Sequence, residues 1–132
     1  MKGIDTNVLV RFLTEDDVEQ AKTVRDLFEQ AEIENGRFHV SSTVLCELTW
    51  VLRAKYRLSR GEIGSTLQPL LGLGLLEVQD RDLAVRALEE FRHGPADFSD
   101  YLIGQQDRRA GCEETLTFDR GLDGAAGFAI LR

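Results

Sequence analysis

Four carboxylates interrupt otherwise apolar or turn-forming surroundings in this 132-residue chain. Asp5 closes the short hydrophobic opening MKGID, where an acid has no packing rationale. Glu47 sits among Leu45, Leu48 and Trp50, and a carboxylate in such company is seldom fully buried without a partner. Asp100 belongs to the stretch DFSDYLIG, and Asp119 ends Leu116-Thr117-Phe118-Asp119. Singly, some of these acids have a bland reading. Asp119 before Arg120-Gly121 suits a turn, and Asp97 reads equally as a helix cap, with Asp100 three residues on completing it. Gathered at one place they would do chemistry. Two ionised carboxylates ~4 Å apart repel by about 4 kcal/mol at an effective dielectric of 20. A hard divalent cation with oxygen ligands offsets that cost, and its remaining waters can act as nucleophiles.

The elements that must position them follow from periodicity. Met1–Asp5 reads as a short strand, and Val8, Leu9, Val10, Phe12 and Leu13 as a short buried helix. Residues 17–34 place Val18, Ala21, Val24, Leu27, Phe28 and Ala31 at helical spacing, stopped by Asn35-Gly36. Arg37–Val40 is a strand, and Ser41 or Ser42 caps a helix to about Tyr56. Ser59-x-x-Glu62 matches a capping box and opens the next helix. Leu75–Gln79 is a strand, Asp80 caps a helix to about Arg92, and His93-Gly94-Pro95 breaks it. Asp97 or Ser99 caps a helix to Ala110-Gly111, Glu114–Phe118 is a strand, and Phe128–Leu131 is the last one. About five strands alternating with helical crossovers predict an α/β sandwich with a mostly parallel sheet. Chemistry in such sheets gathers outside the carboxyl ends of the strands. That rim is where Asp5, Glu47, Asp100 and Asp119 fall.

Other classes drop out. The length suits one domain over residues 1–132. The net charge of −7 is concentrated in residues 15–34, which carry eight acids against Lys22 and Arg25. A broadly basic nucleic-acid glove is excluded, while a local basic surface is not. No apolar run reaches the ~18 residues of a membrane span, and MKGIDTNVLV meets an acid too early for a secretory leader. Cys46 and Cys112 lack zinc spacing and read as buried thiols in a reducing, cytoplasmic setting.

MKGIDTNVLVRFL, the acid in SSTVLCELTWVLR, the stretch DFSDYLIG and the closing LTFDRGL are similar to the PIN-domain ribonucleases. Within that superfamily the chain resembles the bacterial VapC-type toxins of toxin–antitoxin pairs, over nearly its whole length and with the motifs in order. The resemblance implies a three-layer α/β/α domain with a five-stranded, mostly parallel sheet and an acidic pocket at the sheet's carboxyl edge. It implies Mg²⁺- or Mn²⁺-dependent cleavage of RNA. Carried over by position, Asp5, Glu47, Asp100 and Asp119 match the family's acidic quartet, and Asp97 an additional, less constant acid. Asp5 and Asp100 are then the leading metal ligands, Glu47 and Asp119 orient water or bind a second ion, and Thr6 and Thr117 fix carboxylate orientation. The expected products carry a 5′-phosphate and a 3′-hydroxyl. The resemblance also favours a homodimer with pockets opening on a shared groove, and a VapB-type antitoxin partner.

Rivals fare less well. Haloacid-dehalogenase-like phosphatases and receiver domains need a lysine from a late strand end, and the chain has none after Lys55. Asn7 also stands where the phosphatases need a second Asp. Neither Leu71-Gly72-Leu73-Gly74-Leu75 nor Gly61–Thr66 makes a phosphate loop. A catalytically degenerate domain that only binds RNA or protein is the non-enzyme alternative. Arg53, Lys55, Arg57 and Arg60 form the densest basic patch, read either as a phosphate-binding surface or as a solvated helix end. Trp50 and Tyr101 are expected to pack rather than to stack on bases. Leu67, Leu70, Leu71, Leu102 and Ile103 offer apolar surface for a homodimer. The acidic 17–34 helix, with Val24, Leu27 and Phe28, offers a surface for a basic antitoxin segment, and the acidic pocket a site for an inserted arginine.

Overall fold

A computed structural model describes residues 1–132. Strand β1 (Lys2–Gly3) leads through Asp5 into α1 (Thr6–Leu13) and α2 (Val18–Ile33). Then come β2 (Phe38–Val40), α3 (Ser42–Ala54), α4 (Arg60–Leu71), β3 (Leu76–Val78), α5 (Arg81–His93), α6 (Phe98–Arg109) and β4 (Thr115–Thr117). A 3₁₀ turn at Arg120–Leu122 precedes β5 (Phe128–Ile130). Every strand pairing is parallel. One ladder runs β1-β2-β3, with Gly3 opposite His39 and Val40 opposite Val78, and a second joins β4 to β5, with Leu116 opposite Ala129. Helices flank these small sheets in a three-layer α/β/α arrangement. No helix is long and apolar enough to cross a membrane.

Local chemistry explains the boundaries. Asp17, Ser41 and Ser59 cap α2, α3 and α4 through side-chain oxygens that accept from Gln20, Val44 and Glu62 N–H groups. Ser59 and Glu62 form the reciprocal capping box. Asp5 does not extend β1. It leaves the strand and caps α1, its Oδ1 accepting from Val8 N–H at 3.3 Å. Asp80 departs from expectation, because it is left-handed (φ 48°) and makes no side-chain cap bond.

The core is one cluster of 28 buried residues, centred on Leu9, Leu45, Leu48, Leu52, Leu76 and Phe98. Each such side chain is worth about 1.5–3 kcal/mol of burial. The core also absorbs residues expected to be free. Leu67, Leu70, Leu71 and Leu102 are all at least 97% buried between α4, α5 and α6, so of the proposed dimer surface only Ile103 remains exposed. Val24 and Phe28 face the core as well, which leaves Leu27 as the exposed member of that trio. The cysteines are less buried than expected, Cys46 being half-buried and Cys112 exposed.

The basic patch is largely dismantled. Arg60 donates to the carbonyls of Phe91 (2.8 Å), Pro95 (2.8 Å) and Ala96 (2.7 Å), with its guanidinium over the Phe91 ring. Arg53 pairs with Asp97 at 2.7 Å, and Lys55 lies 4.0 Å from Asp16. Neither of the two readings offered for that patch describes Arg60, which ties α4 to the turn before α6.

Candidate active site

Helix α6 is the element on which the site is built. Arg60 grips the turn that precedes it, and the buried Tyr101 hydroxyl accepts from Ala96 N–H at 3.3 Å. Gly94 lets that hydroxyl approach, since a Cβ there would lie 1.9 Å from it. Asp97 N–H then donates to Asp100 Oδ2 at 3.1 Å, fixing the Asp100 carboxylate over the first turn. Further along, Gly104 admits the Phe128 ring, where a Cβ would clash at 2.6 Å. Asp107 Oδ2 accepts from Thr115 Oγ1 at 2.7 Å. These contacts dock the β4–β5 pair on α6 and so set where the end of β4 lies.

The other acids come from the start of α1, the second turn of α3 and the residues after β4. Asp5 and Thr6 start α1, and Thr6 Oγ1 donates to Glu47 Oε1 at 3.1 Å, across from α3. Asp119 follows β4. Its N–H donates to Thr117 Oγ1 at 3.0 Å, and its Oδ1 accepts from Gly121 N–H at 2.8 Å. Thr6 thus reaches the Glu47 carboxylate, whereas Thr117 meets the backbone of Asp119 and not its carboxylate.

Asp100 lies near two other negative charges, Asp97 and Asp119. Burial pushes its carboxyl above the usual carboxylate range, and the charges of Asp97 and Asp119 push the same way, against the Asp97 N–H. The neighbouring Cys46 thiol is likewise raised, first by burial and then by the Asp100 charge. Cys46, next to Glu47 in the sequence, thus lies within reach of the Asp100 charge, which its lone spacing did not suggest.

Salt bridges separate Asp97 from the other four acids. Asp97 is neutralised by Arg53, as Asp26 is by Lys22 and Asp82 by Arg109. Asp5, Glu47, Asp100 and Asp119 have no arginine, lysine or histidine partner. Each has one oxygen held by a donor of the chain itself. No three histidine, cysteine or acidic side chains close into a cage for an ion in this structure. The donor set nonetheless fits a hard divalent cation chemically, because it is all oxygen, anionic and without a cationic partner.

Trp50 is the chief departure from expectation. It does not pack, but stands half-exposed on the same face of α3 as Glu47. Tyr101 packs as expected.

A family model described as "PIN domain" matches residues 3–127 of the chain. No curated protein matches it.

Proposed function

Because the chain belongs to the PIN domain family, a nuclease-type fold, we propose that it is a metal-dependent endoribonuclease of the VapC toxin type, held silent by a cognate antitoxin. The observation that carries this reading is Asp100, which is partly buried, feels the charge of Asp119 and, like Asp5, Glu47 and Asp119, has no cationic partner. Asp5 and Asp100 would hold the cation, Mg²⁺ or Mn²⁺, with Glu47 and Asp119 beside it. Bound there, such an ion supplies Lewis acidity toward a phosphoryl oxygen and a water that ionises near neutral pH.

The chain's own residues do the rest. Thr6 occupies Glu47 Oε1, which leaves Oε2 to accept a proton from the attacking water. Gly121 N–H holds the Asp119 carboxylate and the Thr117 hydroxyl its backbone N–H, so that Asp119 would stand ready to orient a water of the cation. Asp97, neutralised by Arg53, acts as the backbone anchor for Asp100 rather than as a ligand.

The partner reading is narrower than the sequence suggested. With Val24 and Phe28 in the core, the α2 surface offers Leu27 and its acids, Glu29 and Glu32 among them, to a basic antitoxin segment. An arginine from that segment suits the unpaired acids. The homodimer remains part of the proposal and is read from the mass in solution.

The test is cleavage of single-stranded RNA by the purified chain. Activity should vanish with chelator and return with Mg²⁺ or Mn²⁺, and Asp5→Asn or Asp100→Asn should abolish it while leaving circular dichroism unchanged. Equal cleavage by wild type and both variants would defeat the site assignment. Failure of the wild type to bind either cation would leave a degenerate domain that only binds RNA or protein.

A further inference from the structure

Between α3 and α6 runs a groove of about 340 Å³ that includes Glu47 in its lining. It is at the small end of ligand sites, which run from ~300 to 1,000 Å³, and has room for a single compact group rather than a helix. Two apolar side chains border it from opposite helices, Trp50 on α3, 51% exposed, and Ile103 on α6, 48% exposed. Polar uncharged groups lie between them. Gln106 Nε2 donates to Ser42 Oγ at 2.9 Å, and the hydroxyls of Thr43 and Ser99 complete the polar lining. No lysine or arginine lines the groove, so it is not built for a phosphate.

We propose that this groove takes one nucleobase of the RNA substrate, stacked on Trp50, adjacent to the phosphodiester held at the acids. Resting on the nuclease reading above, this adds where the substrate's base goes. A base presents a flat apolar face and a rim of donors and acceptors, and the groove presents the complement: an indole face, an aliphatic wall and amide and hydroxyl groups at the edge. Position supports the same occupant. Thr43, Glu47 and Trp50 share one face of α3, while Ser99, Ile103 and Gln106 share one face of α6 beside Asp100. A strand whose phosphate meets Glu47 and Asp100 therefore places an adjoining base within reach of Trp50. A half-exposed indole forgoes burial, and contact with a base restores it.

The only tryptophan of the chain is Trp50, so its emission reports the groove directly. A dye-labelled, mixed-sequence single-stranded RNA is titrated into the full chain with Ca²⁺ in place of Mg²⁺, so that a hard cation screens the acids, and both dye anisotropy and tryptophan emission are followed. Saturation should quench the emission, and an abasic oligomer of the same length should not. Trp50→Ala should weaken binding by about tenfold, within the range of one lost base stack, and Trp50→Phe by about threefold or less. RNA that saturates the anisotropy without changing the emission overturns the proposal, and so does an absence of RNA binding. A Trp50→Ala variant that binds RNA normally but falls from dimer to monomer also overturns it, and makes the groove an interface between copies. Cleavage with Mg²⁺ or Mn²⁺ is scored separately. Cleavage without quenching defeats the groove assignment alone, and quenching without cleavage defeats the nuclease reading alone.

Discussion

Thr6→Val removes one hydroxyl and tests how the site is held. Thr6 is buried at the first turn of α1, and its Oγ1 donates to Glu47 Oε1 at 3.1 Å. Valine keeps the branched shape, so the change isolates the donor. A hydrogen bond to a charged group is worth about 1.5–3 kcal/mol net. Glu47 is exposed, so water replaces part of the lost bond, and the expected cost falls to about 1 kcal/mol. With an m-value of about 2 kcal/mol/M for a domain of this size, the urea midpoint should drop by about 0.5 M. Activity should fall further than stability, by about 10- to 100-fold, because Glu47 loses its orientation. Thr6→Ser, which keeps the donor, should recover most of both. A double-mutant cycle with Glu47→Ala apportions the effect, and its coupling energy should be about 0.5–1 kcal/mol. Wild-type cleavage by Thr6→Val, with the same Mg²⁺ midpoint and zero coupling, would refute a positioning role for Thr6.

Three other outcomes are expected. Asp100→Asn should raise the melting temperature at neutral pH. Because the folded-state carboxyl is raised above its ordinary value, the ionised acid weakens the fold above that pH; the gain should therefore shrink as pH falls toward the ordinary value of 3.8, and a constant gain would show that charge is not its source. Arg60→Lys should cost about 2 kcal/mol in urea unfolding, since a lysine cannot serve the carbonyls of Phe91, Pro95 and Ala96 together, and an unchanged midpoint would refute the clamp. Reversing charge at Glu29 and Glu32 should weaken antitoxin binding in calorimetry, and unaltered affinity would remove α2 from that surface.

Where a short-range signal decided an element, the sequence was a good guide. Asp17, Ser41 and Ser59 each stand one residue before a helix and bond its first turn. Gly94 and Pro95 end α5 as read. The misreadings share a cause. Periodicity identifies an apolar face but not what covers it, so the leucines of α4 and α6 looked free when α5 lies against them. The same holds for Arg60, whose partners lie 31 to 36 residues away. Trp50 failed in the opposite direction. It lies at helical spacing from Cys46 and Glu47, and nothing local reveals that no element packs over that face. Asp80 had the right position for a cap but the wrong backbone, and its carboxylate accepts from Gln106 at 3.3 Å instead.

The acids of the candidate site were legible for a different reason, which the charge pairing makes physical. Elsewhere on the surface some acids are neutralised and others are not; the paired ones include Glu77 with Arg37, Asp26 with Lys22, Glu15 with Arg25, Asp97 with Arg53 and Asp82 with Arg109. Exposed pairs of this kind contribute ~1 kcal/mol or less each, so folding alone exerts little pressure to place or withhold them. Asp5, Glu47, Asp100 and Asp119 receive hydrogen bonds that fix their direction and no cation that would cancel their charge. For Asp100 this raises the free energy of the folded chain, since burial and two like charges disfavour its ionised form. Orientation without neutralisation serves stability poorly and serves a ligand well. The same carboxylates interrupt apolar runs in the sequence and stand unpaired in the fold, and both facts follow if their partner is not part of the chain.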